Sequence, residues 1–192
     1  MQNSPAPKLE LDKALQSINA MENATSLDDF EEAWKGFLFR LERCFNKAMA
    51  HFKKSPKWDA WWGPYKKSRT TDELLAYLIN ARGAEEHSVE EIVGRDPGGV
   101  GISGVNGKPL RIQGGKIHGD GNFEIRSPDG FKIEFIPAKM TLLPVRNRGR
   151  DYPVPKTHLG ADIDSNNVCS VAKLAHEFYS DFLSKAEQYF VK

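Results

Sequence analysis

The residues best suited to chemistry are an arginine and a histidine within the segment Asn80-Ala81-Arg82-Gly83-Ala84-Glu85-Glu86-His87. Histidine titrates near neutrality and can move protons, and a guanidinium holds phosphate oxygens in a bidentate fork. On one continuous helix, positions five residues apart point about 140° away from each other and lie about 7.5 Å apart along the axis. Arg82 and His87 therefore converge only if the helix breaks between them, which Gly83 permits, or if a second copy of the chain supplies one of them.

The same segment resembles the Arg-x4-His signature of HEPN-type domains, small helical bundles that occur in toxins, antiphage systems and RNA-processing proteins. The resemblance implies cleavage of RNA without a metal ion or cofactor. His87 would then take the proton from a ribose 2′-hydroxyl or protonate the leaving oxygen, and Arg82 would hold the scissile phosphate. Because such active sites are commonly formed across a dimer, the resemblance also implies a homodimer.

A structural role is the alternative for both residues. Arg82 and Glu86 are four residues apart, a spacing at which opposite charges pair on a solvated helix face. Glycine at position 83 stands where the resembled domains usually have a polar residue, and the neighbouring glutamates would repel RNA. Under this alternative the chain is a catalytically inactive module that contacts another protein.

Two basic stretches, residues 51–69 and 139–156, are candidates for contact with an RNA backbone, because each neutralised phosphate adds to binding. They contain Lys66, Lys67 and Arg69 in the first stretch and Arg146, Arg148 and Arg150 in the second. Solvated loops and helix faces are the alternative for both.

Four aromatic residues between positions 58 and 65 lie within the first basic stretch. Their rings could stack on unpaired bases. We favour the interpretation that they pack on one end of a helical core, because aromatic side chains bury a large area. Pro56 and Pro64 indicate that this segment is a connector.

Apolar residues at steps of three and four predict four amphipathic helices. They cover roughly residues 8–21, 27–54, 70–83 or a few residues beyond, and 166–192. Ser55-Pro56 ends the second helix, and Thr70-Thr71-Asp72-Glu73 has the spacing of a capping box at the start of the third. Four such helices favour a bundle.

The middle of the chain holds most of the 16 glycines. Alternating runs at 110–113, 123–126 and 131–135 predict antiparallel strands, and Ser127-Pro128-Asp129-Gly130 predicts the turn of a hairpin. The segment 98–104 lacks the lysine and hydroxyl residue of a phosphate-binding loop and is predicted to be a linker. We expect one α+β domain over residues 1–192, with a bundle part at 8–93, an inserted β-meander at 94–160 and a last bundle helix at 166–192.

The composition of the 192 residues, with 40% hydrophobic residues and a net charge of +1, is typical of a folded domain. No apolar run reaches the roughly 20 residues of a membrane helix, and residues 1–7 lack the features of a secretion signal, so a cytoplasmic location is expected. Cys44 and Cys169 fall among apolar helical neighbours and predict no disulfide framework. The histidines show no metal-ligand spacing.

Overall fold

The structure, a computed structural model, describes residues 2–87, 91–119 and 122–191, with the side chains of His87 and Phe123 outside that description. The chain divides into a helical unit, Met1–Arg95 with Met140–Lys192, and a β unit, Asp96–Lys139. Its secondary structure is α+β, as predicted. Residues 140–160, expected within the β insertion, belong to the helical unit.

The described residues form five helices, one more than predicted. They are α1 (Pro5–Glu22), α2 (Leu27–Phe52), α3 (Trp58–Thr71), α4 (Glu73–His87) and α5 (Val168–Phe190). Helices α1, α2, α4 and α5 correspond to the four predicted ones, and α3 replaces the predicted connector. None of the five, over the residues described, is long and apolar enough to cross a membrane.

The strands are short and pair two by two. They are β1 (Val93–Asp96), β2 (Gly99–Gly104), β3 (Gly114–Ile117), β4 (Phe123–Arg126), β5 (Phe131–Ile136), β6 (Lys139–Leu142), β7 (Val145–Asn147), β8 (Arg150–Tyr152), β9 (Thr157–His158) and β10 (Ala161–Asp162). Strand β1 pairs with β6, β2 with β5, β3 with β4, β7 with β8, and β9 with β10. The pairs β7–β8 and β9–β10 lie in the helical unit.

The β unit is not the meander that the sequence predicts. Strands β4 and β5 flank the predicted turn but pair with β3 and β2, so the β3–β4 hairpin is nested inside the β2–β5 pair. Residues 110–113 form no strand, and the predicted linker contains β2. In β2 glycines take the place of the polar residues that alternate with apolar ones in an ordinary strand, so the sequence pattern does not show it. Val100 pairs with Phe135 and Ile102 with Ile133 across β2 and β5.

The core of the helical unit is built where the apolar periodicity places it. The stripe of α2 is buried at residues including Trp34, Phe37, Leu41 and Phe52. Helix α5 contributes small residues, among them Ala175, alongside large ones. Small residues let helices approach closely while the large rings fill the remaining space.

The aromatic residues of α3 pack against α5, which confirms the packing interpretation. Trp58 is buried and stacks on Trp62, and Trp61 contacts Phe182 and Phe190. The connector prediction was wrong because it read the prolines as breaks. Pro56 precedes α3, whereas Pro64 lies inside it. A proline inside a helix costs about 3 kcal/mol, which the burial of several aromatic rings offsets.

The start of α4 differs from the predicted capping box. Thr70 and Thr71 belong to α3, and Asp72 caps α4 by accepting a hydrogen bond from Leu75 N at 2.9 Å. Asp72 also contacts His158 Nδ1 at 2.9 Å, and both side chains are buried. Glu73 accepts hydrogen bonds from backbone N–H groups of β9 and the residue before it, which draws the loop before α5 onto α4.

Glu10 is a buried carboxylate that joins α1 to α2. Its oxygens lie 2.5 Å from Lys47 Nζ, 3.0 Å from Arg40 and 3.4 Å from Arg43. Burial alone would raise the pKa of Glu10, but the hydrogen bonds from Lys47 and Arg40 and the charges of Lys47 and Arg43 lower it to about 2.

The low pKa of Glu10 predicts a specific loss of stability in acid. The folded protein keeps Glu10 ionised down to pH about 2, whereas the unfolded chain protonates it near pH 4.5. The stabilisation is therefore complete above pH 4.5 and is lost as the pH falls through the folded pKa. We expect the difference in unfolding free energy between the native protein and Glu10→Gln to narrow by ~2 kcal/mol from pH 7 to pH 3, measured by urea denaturation. A difference that does not change with pH would contradict this assignment.

Candidate nucleic-acid interface

An asparagine pair joins the β7–β8 hairpin to α4. Asn147 Nδ2 donates to Asn80 Oδ1 at 3.0 Å, and Asn80 Nδ2 donates to the carbonyl of Ala76 at 2.8 Å. A Cβ at position 83 would lie 2.4 Å from Asn147 Nδ2. Gly83 thus gives the asparagine side chain the room that it needs against the helix.

The turn of this hairpin sets the direction of two arginines. Asn147 pairs with Arg150, which leaves Arg148 and Gly149 as a two-residue loop. Both loop residues have positive φ, at 51° and 76°, as a type I′ turn requires. Glycine adopts this conformation without strain, and it follows an exposed arginine at the hairpin tip.

The hairpin and α4 enclose a cavity of about 520 Å³, which we call the hairpin pocket. This volume lies in the range of small-molecule and cofactor sites. Its lining residues are Glu42, Ile79, Asn80, Arg82, Gly83, Glu86, Asn147, Arg148, Arg150 and Tyr152. The pocket therefore brings together an arginine and two asparagines with two members of the second basic stretch.

The acids of the hairpin pocket already have cationic partners. Glu86 binds Arg82 at 2.5 Å, and Glu42 binds the buried Arg69 at 2.9 Å. Neither Arg148 nor Arg150 has an ion-pair partner among the residues that the structure describes. The pocket is left with an excess of positive charge at its hairpin side.

Arg82 forms the ion pair with Glu86 that a structural role predicts, and it also lines the hairpin pocket. Its Nη2 donates to Glu86, while its Nε is buried without a hydrogen-bond partner in the described part of the chain. A buried N–H without a partner is costly, but because this atom is buried, a ligand in the pocket does not reach it in the arrangement that the structure shows.

Helix α4 does not break between Arg82 and His87. It is continuous from Glu73 to His87, so the break that Gly83 would permit does not occur. The glycine serves the contact with Asn147 instead. On a continuous helix the two positions point about 140° apart. The His87 side chain lies outside the described part of the structure, and its predicted role stays a prediction.

The other predicted contact residues are spread over several surfaces. Lys66 and Lys67 are exposed on α3, outside the lining of the hairpin pocket. Arg146 is exposed beside Asp151, at 3.8 Å, and does not line the pocket, since alternate residues of a strand face opposite sides.

The prediction that Arg69 contacts nucleic acid does not fit its position. Arg69 is only 8% exposed, and its guanidinium lies over the ring of Phe45 at 3.5 Å. It also hydrogen-bonds Tyr179 and Glu42. Its sequence neighbours are exposed lysines, and only the packing of α3 shows that this third cation faces the core.

Two functional candidates were missed by sequence reasoning, namely Asn80 and Asn147. Asn80 was part of the recognised segment and Asn147 lies between two recognised arginines, but no spacing relates positions 67 residues apart. The one usable signal was Asn147-Arg148-Gly149-Arg150, a turn composition between two short strands.

The described residues contain no group of three or more histidine, cysteine or acidic side chains placed to hold a metal ion. Both cysteines are free thiols, and burial raises the pKa of Cys44 to about 12, which keeps it protonated and unreactive. For a histidine, burial has the opposite effect, because its protonated form is the charged one, and it lowers the pKa of His176.

Comparisons with protein-family models, with curated proteins and with solved structures find no match for this chain.

The contact between Gly83 and Asn147 predicts non-additive stabilities. Alanine is favoured over glycine inside a helix by about 1 kcal/mol. In the native chain we expect Gly83→Ala to bring no such stabilisation, because the new Cβ displaces Asn147 from Asn80. In an Asn147→Ala background the same change should stabilise the protein by about 1 kcal/mol, as measured in a double-mutant cycle by urea denaturation. The same effect in both backgrounds would show that Asn147 does not restrict position 83.

Proposed function

We propose that the protein is a HEPN-like RNA-binding protein that holds the RNA backbone in the hairpin pocket. The observation that carries the proposal is the pair Arg148 and Arg150, which line the pocket, are exposed and have no ion-pair partners in the described residues. Guanidinium groups bind phosphate oxygens in a planar, bidentate way. Asn147 adds an amide at the same pocket.

The charge balance of the pocket supports an anionic ligand. Its two glutamates are each held by an arginine, Glu86 by Arg82 and Glu42 by Arg69. Arg148 and Arg150 then remain to neutralise the charge of a ligand, and two guanidinium groups match the charge of two phosphodiesters of an RNA backbone. Glu85, which precedes His87 by two residues, shares Lys35 with Glu31 and does not line the pocket.

We extend the proposal to RNA cleavage without a metal ion, as the resemblance of Arg82 and His87 implies. The 2′-oxygen attacks phosphorus and loses its proton to a base, and the bond from phosphorus to the 5′-oxygen breaks as that oxygen gains a proton. His87 serves as the acid or base and Arg82 offsets the charge on the phosphate. Because α4 is continuous, we propose a homodimer in which one protomer supplies Arg82 to a site and its partner supplies His87. A role in a toxin or antiphage system rests on the resemblance alone.

The second candidate is a catalytically inactive module that binds another protein. One face of the β2–β5 pair favours it. Phe135 is 82% exposed, and Ile133 and Val100 are exposed on the same face. Exposed apolar residues that lie side by side are typical of interaction surfaces.

Removal of the two pocket arginines should weaken RNA binding. We expect Arg148→Ala/Arg150→Ala to lower the affinity for a short RNA about tenfold or more and to reduce the slope of log K against log salt by about 1.4, since each single-strand phosphate contact contributes about 0.7. Fluorescence anisotropy at several salt concentrations measures both. The matched control is Lys66→Ala/Lys67→Ala, which removes two exposed positive charges outside the pocket. Equal losses in the two variants, or no RNA binding by the native protein, would contradict the proposal and favour the interaction module.

Cleavage across a homodimer predicts complementation between two inactive variants. In EDTA we expect the native protein to cut RNA and to leave a 2′,3′-cyclic phosphate, and Arg82→Ala and His87→Ala to lose at least 100-fold in rate. A mixture of the two variants should regain up to about a quarter of the native rate, because half the dimers are mixed and each mixed dimer has one complete site. Cleavage that persists in both variants, or a mixture as inactive as its components, would eliminate the shared site.

A further inference from the structure

Phe39 is an aromatic residue that the core does not use. It lies on α2 but outside the buried stripe, and 37% of it is exposed. It is absent from the set of apolar residues packed on the core. A single exposed apolar side chain is common on protein surfaces, so Phe39 is of interest only through the charges that lie beside it.

Three guanidinium groups surround the Phe39 ring. The Cζ atoms of Arg43, Arg40 and Arg82 lie 5.2, 5.4 and 5.9 Å from the ring centroid. Distances below about 6 Å are typical of cation–π contacts. The ring is thus held in position within a strongly cationic surface.

The charge beside the ring is not neutralised. Arg40, Arg43 and Lys47 share the single carboxylate of Glu10. This cluster therefore carries two positive charges in excess at the surface of α2. A polyanion is the ligand that fits such a surface.

Arg82 connects the ring to the hairpin pocket. Its guanidinium lies against Phe39 and also lines the pocket that contains Arg148 and Arg150. An aromatic platform next to a site for phosphate is the arrangement by which proteins bind unpaired nucleotides, with a base on the ring and its backbone on the cations.

We propose that Phe39 stacks on an unpaired base of RNA, so that the ligand of this surface is single-stranded RNA. This inference rests on the proposed RNA binding at the hairpin pocket. A base in a duplex cannot offer its face to a side chain, because its neighbours in the stack cover it. Arg40 and Arg43 contact the backbone on the side of the ring away from the pocket.

The test compares single-stranded and duplex RNA of ten nucleotides by fluorescence anisotropy. We expect Phe39→Leu, which keeps an apolar side chain but no ring, to bind single-stranded RNA about tenfold more weakly than the native protein. Phe39→Tyr should keep the native affinity. An oligonucleotide with 2-aminopurine adds a direct readout, since its fluorescence should be quenched on binding to the native protein and less so with Phe39→Leu.

The matched control is Phe135→Leu, which removes a ring that is even more exposed. The inference is overturned if Phe39→Leu loses no more affinity than this control, or if duplex RNA binds as tightly as the single strand. If binding depends on Arg148 and Arg150 but not on Phe39, the proposed function stands and only the stacking fails. If the native protein binds no RNA, both are wrong. Thermal unfolding followed by circular dichroism checks that each variant is folded.

Discussion

The hydrogen bond between Asn147 and Asn80 joins the β7–β8 hairpin to α4 beside the hairpin pocket, and it has room to form because residue 83 has no side chain. A Cβ there would occupy the position of the Asn147 amide. The Asn147 side chain would then have to turn away from Asn80, and the hydrogen bond between hairpin and helix would be lost. This contact at the wall of the hairpin pocket therefore depends on one small residue in the middle of a helix, where glycine otherwise lowers stability.

Ion pairing determines which charges the pocket can offer. Glu86 and Glu42 would cancel the arginines if they were free, but each is held by an arginine of its own. The buried Arg69 acts through Glu42 and through its contacts with Phe45 and Tyr179, and so links α3, α2 and α5 behind the pocket. Its contribution to an RNA site would be indirect, because it neutralises an acid instead of touching a phosphate.

The sequence predicts the helices well and the strand pairing poorly, for physical reasons. Apolar steps of three and four are local, and they locate α1, α2, α4 and α5 to within a few residues. Strand pairing joins distant residues, so the turn at Ser127–Gly130 suggested neighbours that the structure does not pair. For the site, Arg82, Arg148 and Arg150 were recognised by type. Their meeting in one pocket was not, since it depends on Asn80 and Asn147, which lie 67 residues apart.

The structure of the protein bound to a short single-stranded RNA tests the central claim most directly. We predict a phosphate within hydrogen-bond distance of the guanidinium groups of Arg148 and Arg150, with Asn147 beside it in the hairpin pocket. An RNA that lies instead along the lysines of α3, or next to Arg146 on the other side of the hairpin, would contradict the claim. An empty hairpin pocket in such a complex would also contradict the claim.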